Sequence, residues 1–286
     1  MNHLLGISIH NVGIDYILNK NFKRVQLCHK FSGAKEITSL LKLSKKRPIK
    51  ITYHAPVFHQ TDPTVTYYLN SNKRLREATF EILEINLDMA RSMPTDHFIV
   101  HFTSKNSDDK IDDNELYSLA EDSAKRLNEL SKKYKMPIHL EYAGYNNRFY
   151  KPKDWVQLIS KYDNLGICLD VGHFYISCQL NNMDYFTELD RMLPVIESMH
   201  LWNTRGLEDI KKYGHIPVHP SQRTEEGWID IENTLKLVLS YNRDINIVFE
   251  PDFNYGDIKY AQEGINWVNE LVYGLTERSN KLMAEG

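Results

Sequence analysis

The chain has 286 residues, 42% hydrophobic and 26% charged, enough to bury a large core in one barrel-sized domain or two smaller ones. A formal net charge of -3 gives no global basic field to recruit nucleic acid or acidic membranes, which disfavours a non-specific nucleic-acid coat and leaves room for an enzyme with a local basic groove. Cys28, Cys168 and Cys178 form no Cys-x-x-Cys pair, which points to a reducing compartment, and Cys28 and Cys168 read as small buried hydrophobes. No apolar run is long enough to span a bilayer, and Met1-Asn-His-Leu-Leu-Gly6 lacks the basic start and long apolar stretch of a signal peptide. A soluble cytoplasmic protein is the expectation.

Strand-like and helix-like patterns alternate from the start. Leu4–Ile9 and Arg24–Leu27 are the first two candidate strands, joined by a weakly marked helix over Val12–Asn19. Ile49–Tyr53 is the third, running into His54. Leu75, Ala78, Ile82, Ile85 and Met89 then follow the three-and-four spacing of one helix face. Phe98–His101 is a strand, Leu119, Leu127 and Leu130 mark a helix, and Ile138–Glu141, Leu165–Asp170 and Glu197–Leu201 are strands five to seven. Asp230 caps a helix carrying Ile231, Leu235 and Val238; Asn246–Glu250 is the last strand; Ala261, Ile265, Val268, Val272 and Leu275 share a final helix face. Lys42–Arg47 and Lys132–Lys135 fall late in helical segments, where cations complement the helix dipole, and read as solvated faces.

Such alternation implies parallel strands with crossover helices, and eight units at this length fit a closed (β/α)8 barrel. The rival, an open doubly wound sheet, calls for a glycine-rich phosphate loop after an early strand, and no G-x-G-x-x-G occurs. No linker or composition shift divides residues 1–286, which read as a single domain. Pro217, Pro220 and Gly227 punctuate a long loop after strand seven, expected to form a lid or a wall of the site.

The strand ends carry the chemistry. Asp170-Val-Gly-His173 closes one apolar run, and His54, His101, Glu141, His200 and Glu250 close others. A lone histidine in a strand is more often a hydrogen-bonded core residue, and that reading holds for His29, His97 and His139. It weakens for His54, His101, Glu141, Asp170, His200 and Glu250, which all fall at one level, the carboxyl ends where barrel enzymes keep their sites. Gathering that many ionisable groups in one mouth is costly unless they share a cation. Oxygen and nitrogen ligands without cysteine suit zinc, manganese, cobalt or iron. His173, His215 and His219 stay open between ligand and loop residue. Trp202 and Trp228 fit either the floor of a sugar site or packing under the rim.

The motifs His54-Ala-Pro56, Val100-His101, Leu140-Glu141-Tyr-Ala-Gly144, Leu169-Asp170-Val-Gly-His173, Met199-His200-Leu201, Gly227-Trp-Ile-Asp230 and Phe249-Glu250-Pro251 resemble the xylose-isomerase-like barrel superfamily, from Gly6 to about Leu271. That superfamily holds sugar isomerases, epimerases and related dehydratases together with the endonuclease IV group of abasic-site nucleases. The resemblance implies that Glu141, Asp170, His200 and Glu250 form the metal quartet of the isomerase and epimerase branch, with His173 contacting substrate. In the nuclease branch His54, His101, His173 and a late histidine, matched here to His219, complete a three-metal cluster. The sequence departs from that branch in three places. Pro217 replaces an expected carboxylate, Val57 replaces an expected aromatic, and Glu141-Tyr-Ala-Gly144 is one residue shorter.

The expected function is a divalent-metal-dependent isomerase or epimerase of a small sugar or polyol-type hydroxy-carbonyl compound. The ion binds two vicinal substrate oxygens and stabilises an enediolate, while Glu141 and Glu250 move the proton, and His173 and Arg205 orient the substrate. His54, His101, Trp202, Arg205 and His219 are the expected substrate-binding residues, with Arg205, Arg223 and Lys212 available to a phosphate. The alternative is an endonuclease IV-like phosphodiesterase with two or three ions, the one reading that brings in nucleic acid. It explains His54 and His101 better, and the acidic balance and missing residues worse. Oxidative chemistry with iron is a third reading. Metal stoichiometry separates them: one tightly held ion for the isomerase, more for the others. The partner is otherwise a carbohydrate-like small molecule, with no membrane and with an oligomer allowed.

Overall fold

Eight short strands hydrogen-bond in parallel and in sequence order, and β8 returns to β1 to close the barrel. The computed structural model describes residues 5–9, 16–17, 20, 22–28, 34–57, 65–103, 110–143 and 148–284. The strands are β1 Leu5–Ser8, β2 Arg24–Leu27, β3 Lys50–His54, β4 Thr95–His101, β5 Ile138–Glu141, β6 Leu165–Asp170, β7 Ile196–Leu201 and β8 Asn246–Phe249. Around them pack α1 Ala34–Lys46, α2 Lys73–Arg91, α3 Asp113–Tyr134, α4 Pro152–Ile159, α5 Val171–Leu180, α6 Tyr185–Met192, α7 Leu207–Tyr213, α8 Ile231–Tyr241 and α9 Ile258–Ala284. The fold is therefore the closed barrel and not the open sheet. Of the helix expected over Val12–Asn19, Tyr16 and Ile17 are helical and the rest lies outside the described residues, as does His29.

Register sets the level of the strand-end side chains. His101 pairs with Glu141 across β4 and β5, and Asp170 with His200 across β6 and β7. Two irregularities each admit one extra acidic residue: Thr95 and His97 pair with consecutive residues of β3, leaving Asp96 over, and Ile196 and Ser198 do the same on β6, leaving Glu197 over. Asp96 takes a bidentate pair from Arg24 at 2.7 Å and lies 2.9 Å from His97 Nδ1. Burial would raise its carboxyl, but His97 and Arg24 hold it well below the usual carboxylate range. Gly6 leaves room for the Arg24 stem, whose Cγ would stand 2.6 Å from a Cβ there. His139 Nδ1 meets Ser198 Oγ at 2.8 Å. His97 and His139 are thus the buried, hydrogen-bonded core residues expected of lone strand histidines.

The helix faces follow the sequence pattern with one correction. In α9 the expected Ala261, Ile265, Val268 and Val272 are buried, and in α8 Asp230 accepts from Asn233 N at 3.0 Å as its cap. In α2 the buried face is Phe80, Leu83, Asn86, Leu87 and Ala90, while the expected Leu75 and Ile85 are exposed. Two interleaved apolar sets share that helix, and the face that wins contains a polar residue. Asn86 accepts from Tyr53 Oη and Val57 N, both at 2.9 Å, and so ties α2 to the segment after His54.

The loop after β7 packs against α9. Its Val218 carbonyl lies against Gly264 of α9, so close that a Cβ there would sit 1.6 Å from the oxygen. His219 stacks on Tyr260 at 4.0 Å. Asn203, buried, receives Thr204 N and Ile229 N at 2.8 and 3.1 Å and donates to Gln222 at 2.8 Å, closing the loop on itself. Among the described residues no helix is long and apolar enough to cross a membrane.

Candidate metal centre

Three carboxylates converge on one imidazole nitrogen. His200 Nδ1 lies 3.6 Å from Glu141 Oε1, 3.7 Å from Asp170 Oδ2 and 3.6 Å from Glu250 Oε2. These separations are too long for hydrogen bonds. They lie close to the edge of a tetrahedron whose centre-to-ligand bonds are about 2.0–2.2 Å, an edge of about 3.3–3.6 Å. Nδ1 is buried and has no hydrogen-bond partner, and such an atom facing three acidic oxygens is an orphan that a cation satisfies. Asp170, His200 and Glu250 each offer a ligand atom within 4.8 Å of the others, and so do Glu141, Asp170 and His173. The donor set fits a divalent ion.

Asp170 does several things at once because the strand runs straight into a helix. As the cap of α5 it accepts from His173 N at 2.8 Å, and both its oxygens accept from Trp202 Nε1, at 2.8 and 3.0 Å. The indole lies directly over Gly172, where a Cβ would come within 2.3 Å of the ring. That contact explains the glycine of Asp170-Val-Gly-His173: any side chain would push Trp202 off the carboxylate. Gly172→Ala is expected to destabilise the fold by about 1–3 kcal/mol through overpacking. Zinc affinity should fall with it, as Asp170 loses its outer partner. Urea unfolding and zinc titration of this variant check both effects.

A second convergence shares Glu141. His54 Nε2 and His101 Nε2 stand 2.7 and 3.0 Å from Glu141 Oε2, so this carboxylate turns one oxygen to His200 and the other to two histidines. The His54 and His101 rings lie 4.7 Å apart, and both Nδ1 atoms are buried without a hydrogen-bond partner. His173 Nε2 is 4.0 Å from Asp170 Oδ2.

The loop histidine that reaches this cluster is His215. It stacks on Trp202 at 4.2 Å, and its Nδ1 is 3.5 Å from Glu250 Oε2. A reciprocal clamp holds it: His215 N donates to Asp252 Oδ2 at 3.0 Å, and Asp252 N to the His215 carbonyl at 2.7 Å. His219 is not brought to the centre; its nitrogens face Ser221 Oγ at 2.7 Å and Glu263 at 3.1 Å. Arg205 lies outside it too, paired with Asp209 at 2.7 Å and set 4.8 Å over the Trp228 ring. Lys212 lies over Tyr213, and Arg223 lines a separate cavity with Pro220 and Trp267. Trp202 and Trp228 are both buried. Sequence reasoning passed over Gln26. Its carbonyl oxygen lies 2.9 Å from His200 Nε2 and its amide donates to Glu250 Oε1. The available signal was a glutamine two residues from Arg24 on the inward face of a strand.

The electrostatics follow from burial opposed by charge. Burial would raise Glu141, but His101, His54 and His200 hold its carboxyl well below the ordinary value. Burial would lower His101 and His200, and their neighbours reverse that: Glu141 raises His101, and Cys168, then Glu250 and Glu141, raise His200 well above an ordinary imidazole. Asp170 is lowered, burial being overcome by His173 and His200. His173 is lowered by burial, against Asp170.

A family model described as xylose isomerase-like TIM barrel matches residues 11–271. No curated protein sequence matches the chain. Among solved structures, a D-tagatose 3-epimerase-like protein superposes with a TM-score of 0.73 at 17% identity, over 96% of this chain and 99% of that one. The 3-keto-D-glucoside 4-epimerase YcjR of E. coli gives 0.69 at 12% identity, over 93% and 99%. A zinc-bound IolI protein gives 0.65 at 12%, over 96% and 98%. At these identities the likeness is one of fold. The family match takes in seven of the eight barrel strands, from β2 to β8, and by that extent the chain belongs to the xylose isomerase-like TIM barrel family.

Proposed function

We propose that the protein is a divalent-metal-dependent isomerase or epimerase acting on a small sugar or polyol-type hydroxy-carbonyl compound. The observation that carries this reading is His200 Nδ1, orphaned and equidistant from one oxygen each of Glu141, Asp170 and Glu250. Those four residues would hold the ion. When bound, it supplies Lewis acidity toward a carbonyl and its neighbouring hydroxyl. The epimerases among the superposable structures support a carbohydrate substrate, and the zinc in IolI makes zinc the first ion to try.

The remaining chemistry belongs to the side chains. Glu141 and Glu250 both stand 3.6 Å from His200 Nδ1, one delivered by β5 and the other from the end of β8. Two carboxylates around one centre are the disposition needed to take a proton from a carbon and return it on the other face. His101, raised by Glu141 against its burial, and His54 beside it are placed to hydrogen-bond substrate hydroxyls, with His173 on the other flank.

The test is solvent exchange. Protein loaded with zinc, manganese, cobalt or iron(II) is incubated with a panel of ketoses in deuterium oxide, and the proton beside the carbonyl is followed by NMR. Deuterium entering that one carbon is the expected result; a panel left unexchanged with every metal removes the reading. A second reading, a two-ion phosphodiesterase, is favoured by His54 and His101 meeting on Glu141 Oε2. Pro217 and the engagement of His219 with Glu263 weigh against its complete three-ion form. Cleavage of abasic-site DNA in place of ketose exchange selects it.

A further inference from the structure

Gln26 is fully buried on β2, and both ends of its amide go to residues that would hold the ion. The carbonyl oxygen, 2.9 Å from His200 Nε2, can only accept, so that nitrogen carries a proton. The lone pair available for coordination is then on Nδ1, the nitrogen that faces Glu141, Asp170 and Glu250. At its other end the amide donates to Glu250 Oε1, which leaves Oε2 directed toward His200 Nδ1 and His215.

We propose that Gln26 is the positioning residue of this centre, fixing the His200 tautomer and the Glu250 orientation so that both enter coordination preformed. The inference rests on the metal reading above. The residue type suits the task. An amide is uncharged, accepts at one end and donates at the other, so it satisfies an imidazole N–H and a carboxylate together. A carboxylate at position 26 would accept from His200 but face Glu250 with like charge. An apolar side chain would leave both His200 Nε2 and Glu250 Oε1 buried without a partner. Outer partners of this kind typically change metal affinity about 10–100-fold.

The experiment measures zinc dissociation constants by chelator competition for the wild type, Gln26→Met and Gln26→Glu. The nitrogen-15 shifts of His200 in each zinc-loaded protein accompany them. The expected result for Gln26→Met is zinc binding weakened about 10–100-fold, with a His200 pattern no longer confined to metal on Nδ1 and proton on Nε2. A purely structural role would lower the melting temperature of the metal-free protein and leave that pattern unchanged. Gln26→Glu keeps the acceptor for His200 and removes the donor from Glu250. It should retain the Nε2 proton and lose less affinity, and it carries the test if Gln26→Met does not fold. Wild-type affinity in either variant overturns the proposal while the metal reading stands. A wild-type protein that binds no zinc overturns both.

Discussion

Glu141→Gln should lower turnover by about 10²–10⁴-fold, the range lost with a general base. Three effects combine in this one residue. Its Oε1 is one of the three oxygens facing His200 Nδ1, its Oε2 is the meeting point of His54 and His101, and the carboxylate itself would move the proton. The substitution keeps the shape and removes the charge, so the barrel should remain intact. A second consequence separates this account from general damage. Burial lowers His101, and Glu141 is the largest influence against it, with Glu250 adding to it, so in metal-free Glu141→Gln the His101 imidazole should titrate lower than in the wild type. Steady-state kinetics at saturating metal and an NMR titration of His101 read the two effects. Near-normal turnover, or a His101 titrating as in the wild type, would remove Glu141 from its place at the hub.

Zinc should stabilise the protein increasingly as pH rises. His200 and His101 are raised in the metal-free fold, so their contribution to stability is complete below the ordinary imidazole value and is lost as pH climbs through the raised ones. Glu141 and Asp170 are lowered, so theirs is complete above the ordinary carboxylate values and is lost as pH falls through the lowered ones. The contributions of these four groups are therefore all present together only between about pH 4.5 and 6.5, the ordinary values of the two classes. Zinc competes with protons for His200 Nδ1, whose hold on them is strengthened in the metal-free fold, so its affinity grows with pH while the metal-free fold loses that support. At 100 times the dissociation constant, zinc adds about 2.7 kcal/mol. Melting temperatures with and without zinc at fixed excess should diverge from pH 5.5 to pH 8. A pH-independent difference would mean that no protonated ligand is displaced.

Strand ends were the most legible part of this molecule. Arg24–Leu27, Ile138–Glu141 and Leu165–Asp170 fall where their apolar runs place them, since a strand between barrel and helices is buried on both faces. β4 is longer than its apolar core because Thr95, Asp96 and His97 belong to the polar interior, where Arg24 and His97 compensate Asp96. The α2 face was misread because Asn86, fully buried, contributes nothing to a hydrophobic pattern. Within the site, His54, His101, Glu141, Asp170, His200 and Glu250 were legible together because strand register carries position along the chain into height in the barrel. His215 and His219 lie in a loop, where four residues of separation determine no direction. Only the Asp252 clamp and the Glu263 pair decide which one turns inward. Gln26 was silent for another reason: its meaning lies in two partners from β7 and β8, on the far side of the sequence.

The central claim is that one divalent ion sits among Glu141, Asp170, His200 and Glu250. Anomalous diffraction at the zinc edge from zinc-loaded crystals tests it most directly. One strong peak is expected, about 2.0–2.2 Å from a ligand atom of each of these four residues, His200 contributing Nδ1. A strong peak bound through His200 Nε2, or zinc held elsewhere with this cluster empty, would contradict it.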